Sequence, residues 1–378
     1  MIRSTAALSG SAYLSMFFLG IGSTIIGAAS GNIGLDAFRI GFFIAAQNLG
    51  FFVAVITAGA LADTVEKPRL LFGGSLLACV SFFLFYLWEP FLLNLLIMFF
   101  IGAAVGVSEG VTDAMLIDLH QERQALHISV NHFFVTFGAL LITGYLVLLQ
   151  MSWRRALVQS AAAVLLLAVF LAFARTSGTR RGAIRLADRI RFLVSRAVVP
   201  GVFAAAGIFI GIEAGLTGLL TTFLLRLRQY DQVSSKIGLI LFLSGIATGR
   251  ALFGLLARRE RIRPMLLALA AACGICSTLL FLIRLPPLAT SVSLLLLGLT
   301  VSGLFPLTIT LTGFLFPEMS GTAIGLIKLG VPVGGILVPL AVSGAARLSS
   351  LETSLLVFPA LAAVSVLILV LTPEGRAS

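Results

Sequence analysis

Gly102-Ala-Ala-Val-Gly106-Val-Ser-Glu109-Gly110-Val-Thr-Asp113-Ala-Met-Leu-Ile-Asp118 is an apolar segment that nonetheless carries three acids. It completes an apolar run starting near Phe91, and together the two are long enough for one helix to cross a bilayer, which takes about 20 residues. Glu109 and Asp113 stand four residues apart and so share a helix face. An ionised acid near the middle of a span costs roughly 2.5–3.5 kcal/mol on insertion scales, so a helix with two must turn them toward water, a partner or a substrate. Gly102, Gly106 and Gly110 repeat every four residues and let another helix approach closely. One face packs and the next is polar, as the wall of a transport cavity requires. Asp113, nearer the helix end, equally fits an interfacial cap; Glu109 lies deeper, where acids are functional candidates.

The rest of the chain repeats this apolar character. Of 378 residues, 59% are hydrophobic and 11% charged, against about 25% charged in a soluble domain. The composition predicts an all-α integral membrane protein in the lipid bilayer. The net charge of +11 then reports on loops and is no sign of nucleic-acid binding. Cys79, Cys273 and Cys276 all sit in apolar runs, and Cys273-x-x-Cys276 has no polar neighbours to make it a redox pair. The first apolar run is too long for a secretory signal and reads as a retained span.

Apolar runs fall near 8–30, 40–62, 69–88, 91–117, 126–149, 155–174, 198–225, 234–257, 264–284, 288–316, 320–345 and 352–372, predicting twelve transmembrane helices. An even number puts both termini on one side. With the N-terminus inside, the inner segments hold sixteen lysines and arginines and the outer ones eight, Lys236 among the latter. The excess predicts that both termini are cytoplasmic, in the inner (plasma) membrane. Residues 1–175 and 197–378 are expected as two six-helix bundles joined by a polar linker, 176–196. The linker's second half sets Ile184, Ala187, Ile190, Leu193 and Val194 opposite Arg181, Arg185, Arg189 and Arg196. That is the pattern of an amphipathic helix on the inner membrane surface, although a plain solvated linker fits as well.

The two halves match each other. Gly59-Ala-Leu61-Ala62-Asp63 with Lys67 and Arg69 aligns with Gly254-Leu-Leu256-Ala257-Arg258 at an offset of 195 or 196. Asn131-His132 with Gly138-Ala139 aligns with Ile327-Lys328 and Gly334-Gly335 at an offset of 196. An internal duplication of six spans is the repeat architecture of many transporters.

Gly59-x-Leu61-Ala62-Asp63 followed by Lys67 and Arg69 resembles the loop signature of the major facilitator superfamily. The resemblance implies twelve helices in two pseudo-symmetric bundles, with Asp63, Lys67 and Arg69 as a gating latch. The second copy has Arg258 in place of the acid. Four stretches look like one branch, the fucose–galactose–glucose proton symporters: Gly102 to Glu109, Asn131-His132 with Phe137-Gly138-Ala139, Gly211-Ile-Glu213, and Leu304-Phe305-Pro306 continuing through Pro317-Glu318 and Gly334-Gly335 to Pro339. By that likeness Glu109 occupies the position of a proton-coupling glutamate and His132 that of a substrate-contacting amide or histidine. There are departures. The first span has no acid, no tryptophan lies deep in a span, and Lys328 stands where small polar residues are usual. The last suits an anionic substrate or an ion pair.

In this fold the fourth and seventh spans line the cavity, which makes Glu109 and Glu213, with Asp113, the expected proton-coupling acids. His132, Asn131, Lys328, Gln47 and Asn48 are the expected substrate-binding groups, and Arg250 joins the gate. No catalytic constellation, metal-ligand spacing or phosphate-binding glycine loop appears, so the expectation is a non-enzymatic monomeric carrier without cofactor. It would be driven by protons, with sodium not excluded, and would move a sugar or sugar-like acid by alternating access. A proton-driven exporter of amphiphiles and a non-transporting receptor are the alternatives.

Overall fold

The computed structural model describes residues 2–62, 65–120, 124–149, 151–176, 191–256, 260–316 and 320–373. The first half forms α1 (Thr5–Ile33), α2 (Ala37–Leu61), α3 (Lys67–Leu84), α4 (Phe91–Leu119), α5 (Gln124–Leu148) and α6 (Trp153–Phe173). The second half forms α7 (Val198–Leu227), α8 (Gln232–Leu256), α9 (Ile262–Leu282), α10 (Pro287–Leu315), α11 (Ser320–Lys328), α12 (Gly330–Leu348), α13 (Leu351–Leu355) and α14 (Val357–Leu371). Among the described residues, twelve spans are long and apolar enough to cross a membrane, and their limits lie within a few residues of the apolar runs. The exception in kind is that the eleventh and twelfth spans are each built from two helices.

Proline explains both breaks. Pro332 has no N–H to donate to the Lys328 carbonyl four residues back, and α11 ends at Lys328. Pro359 stands in the same relation to Leu355, where α13 ends. Leu329 and Leu356 at the joints keep helical dihedrals but bond back to Leu326 and Thr353, one residue short of the α pattern. Pro306 and Pro339 lie inside unbroken helices. At the other end of the chain, α1 stops at Gly34, whose φ of 79° is the left-handed conformation that lets the chain turn and bond back to Ser30.

The chain divides into two compact units, Met1–Leu35 with Phe42–Gly182, and Asp36–Gly41 with Ala183–Ser378. In the first, α1 packs on α4 and α5, and α3 on α4 and α6. In the second, α7 packs on α12, and α9 on α10 and α14. These are the same pairings one repeat later, the twelfth and fourteenth helices standing for the eleventh and twelfth spans. The closest backbone approaches repeat too. A Cβ on Gly102 would strike the Gln47 carbonyl, and one on Gly298 the Phe242 carbonyl. Gly138 meets the Phe17 carbonyl as Gly334 meets that of Gly207. Lipid is as apolar as leucine, so helices in a membrane gain from such close contact rather than from escaping water. Gly102, Gly106 and Gly110 all face α2, which makes the stripe on α4 a packing face and leaves Glu109 and Asp113 beside it.

The structure relocates one residue. Lys236, expected in an outer loop, lies in the second turn of α8 with only 1% exposed, its Nζ 3.1 Å from Gln232 Oε1. Most of the expected amphipathic linker helix, Arg258 and Pro317-Glu318 fall outside the described residues.

Candidate functional site

In the first unit, α4 presents Glu109 and Asp113 one turn apart and α5 brings Asn131 and His132 to them. Asn131 Nδ2 donates to Thr112 Oγ1 and to Asp113 Oδ1, both at 2.9 Å, and His132 Nε2 lies 3.3 Å from Asp113 Oδ2. One ligating atom each from Glu109, Asp113 and His132 lies within 4.8 Å of the others. A carboxylate only accepts hydrogen bonds, so the Asn131 amide must turn its NH2 to Asp113. That leaves Asn131 Oδ1 buried, in a residue 0% exposed, without a hydrogen-bond partner. Two carboxylates this close repel one another, and the His132 imidazole is a cationisable group set beside them.

The other polar candidates of this unit bond to helix backbone. Gln47 is buried, and its Nε2 donates to the Gly22 carbonyl at 2.7 Å, tying α2 to α1. Asn48 Nδ2 donates to Ile44 of its own helix at 2.9 Å. Of the expected latch, Asp63 lies outside the described residues. Lys67 Nζ reaches Asp118 Oδ2 at the end of α4 at 2.7 Å, and Arg69 pairs with Glu66 at 2.9 Å. Arg175, just past α6, approaches the same Glu66 carboxylate at 3.5 Å. Charges at the ends of α3, α4 and α6 are thus linked through Glu66 and Asp118. Sequence reasoning passed over Glu66, Asp118 and Arg175, whose only signal was their place at span ends.

A second group escaped notice. His120, which caps α4, stacks on His127 of α5 with ring centroids 3.5 Å apart and planes 12° from parallel. From α1, Ser9 Oγ lies 2.7 Å from His120 Nε2, and Tyr13 Oη lies 2.5 Å from His127 Nδ1. Burial first, and the neighbouring imidazole second, hold the His120 pKa below its ordinary value.

In the second unit Arg250 Nη2 donates to Glu213 Oε1 at 2.8 Å, joining α8 to α7. The side chains are 31% and 19% exposed. Lys328 is the last residue of α11, at the break that Pro332 imposes.

Residues 8–339 match the Major Facilitator Superfamily. The chain belongs to that superfamily. It is a multi-pass membrane protein with a transporter fold, as the motif around Gly59 and Lys67 and the duplicated spans implied. No curated protein matches it. Among solved structures it is similar to the nucleoside transporter NupG, with a TM-score of 0.82 and 13% identity over 98% of this chain and 100% of that one. A bacterial homologue of the human lysosomal transporter Spinster, inward-facing and occupied, gives 0.79 and 15%, covering 98% and 97%. A D-xylose–proton symporter gives 0.78 and 14%, covering 98% of each chain. At such identities the likeness is one of fold.

Proposed function

We propose that this superfamily member is a proton-coupled secondary transporter of a small polar solute, a sugar or sugar-like acid, working by alternating access. The observation that carries the reading is the cluster of Glu109, Asp113 and His132 inside membrane helices, with ligating atoms within 4.8 Å of one another. Glu109 takes the coupling proton. Asp113, held by Asn131 and His132, keeps the cluster in place and lowers the cost of a proton there. Protonation removes the charge, so the loaded carrier reorients without dragging an anion through a low-dielectric passage. Asn131 Oδ1, an acceptor beside the cluster, would take a hydrogen bond from a solute hydroxyl. The moving parts are the bundles 1–175 and 197–378, joined by 176–196, in a monomer set in the plasma membrane with both termini in the cytoplasm. Lys67, Arg69 and Asp63 form the cytoplasmic latch.

Glutamine copies the protonated acid in shape and neutrality. In proteoliposomes with an imposed pH gradient, Glu109→Gln should still exchange labelled solute across the membrane. It should fail to accumulate solute uphill, because no proton is released inside. Uphill accumulation by Glu109→Gln would move coupling to another acid, and accumulation driven by sodium alone in the wild type would replace the proton.

A further inference from the structure

Both units carry ionisable groups within their spans. Those of the first unit include Glu109, Asp113 and the imidazole of His132. The spans of the second include Lys236, Arg250 and Lys328, and Arg250 meets the acid Glu213 there. Cations inside a membrane are costly to place and mark a ligand path or a fixed counter-charge. Arg250 and Glu213 meet at a charge-assisted distance of 2.8 Å from neighbouring helices, through one guanidinium nitrogen and one carboxylate oxygen.

We propose that the transported solute is a small carboxylate anion that binds Arg250 by displacing Glu213. The proposal rests on the reading that the chain carries a small solute, and it names that solute's class. Glu213 is itself a carboxylate on the guanidinium, so the geometry for an incoming one already exists. A guanidinium offers a planar fork that takes both oxygens of a carboxylate. Neither side chain is sealed: about a third of Arg250 and a fifth of Glu213 stay accessible. The exchange makes and breaks no covalent bond; one carboxylate leaves the guanidinium as another arrives. Lys328, at the interruption between α11 and α12, adds a second positive charge to the spans of this unit.

The test uses the full-length protein in detergent and in proteoliposomes. Mono- and dicarboxylates, including lactate and gluconate, are each paired with a neutral counterpart such as lactamide or glucose. Carboxylates should raise the melting temperature and be taken up, and their neutral partners should not. Arg250→Gln should weaken carboxylate binding at least tenfold, and Arg250→Lys should restore part of it. Glu213→Gln removes the internal competitor and should tighten binding several-fold, which a fixed structural pair would not do. Neutral solutes binding as well as anions would overturn the proposal while leaving the transport reading intact. So would Glu213→Gln weakening binding in step with a lost melting temperature. Should Arg250→Gln fail to fold, Arg250→Lys and Glu213→Gln still decide. Absence of binding and flux for either class in the wild type would sink the transport reading itself.

Discussion

His120 shows how one side chain can be set by groups that are distant in sequence. Its ring lies on His127 and its Nε2 faces Ser9, which is 111 residues away along the chain. Burial and the adjacent imidazole both favour its neutral form, so the folded protein holds fewer protons here than the unfolded chain. Stability from this group is therefore complete above the unfolded histidine value, near 6.5, and is lost as pH falls from there through the lower folded value. Melting temperature measured from pH 7.5 down to 5.5 should drop more steeply for the wild type than for His120→Gln. Equal slopes would mean that the stack does not govern the acid limb. The spacing of Glu109 and Asp113 was readable from sequence because it is a property of one helix. The grip of Asn131 and His132 on Asp113, the Arg250–Glu213 pair and the histidine stack were not. Each depends on how neighbouring helices are rotated against one another, which composition does not encode.

At the scale of elements, close contact rather than hydrophobicity sets helix positions. Gly102 has no room for a side chain because the Gln47 carbonyl of α2 occupies that space. Gly73 in α3 is exposed, with nothing within 4 Å of where its Cβ would stand. Gly102→Leu should therefore push α4 from α2 and cost about 1–3 kcal/mol or more in unfolding measurements. Gly73→Ala should gain about 0.5–1 kcal/mol by removing backbone freedom from the unfolded chain. If the two variants melt alike, the packing account of the α4 stripe is wrong. Every span was legible as an apolar run because lipid demands about 20 apolar residues of any helix that crosses it. The breaks at Leu329 and Leu356 were not legible. Pro306, Pro332, Pro339 and Pro359 all lie within the last three spans, and two of them leave their helices unbroken. Neighbouring groups decide whether a freed carbonyl is satisfied in place or the helix parts.

For the whole molecule, the duplication is the fact most firmly shared by sequence and structure. The offsets seen in the motifs, 195 to 196, return as equivalent backbone contacts at Gly102 and Gly298 and at Gly138 and Gly334. Two copies of six spans put both chain ends on one face, and only the distribution of charge says which. Sixteen cations on one side against eight on the other favour a cytoplasmic face for the termini. The segment after α6 and the turn between α3 and α4 then lie on opposite sides of the membrane. Ser195 and Glu89 are exposed representatives of the two. With Cys79, Cys273 and Cys276 replaced, single cysteines at Ser195→Cys and Glu89→Cys report each side separately. An impermeant maleimide added to intact cells should label Glu89→Cys at once and Ser195→Cys only after permeabilisation. The reverse pattern would invert the carrier and place the ion pairs of Lys67 with Asp118 and of Arg175 with Glu66 on the outer face. Under the proposed coupling role, Glu109 would then release its proton in the opposite direction.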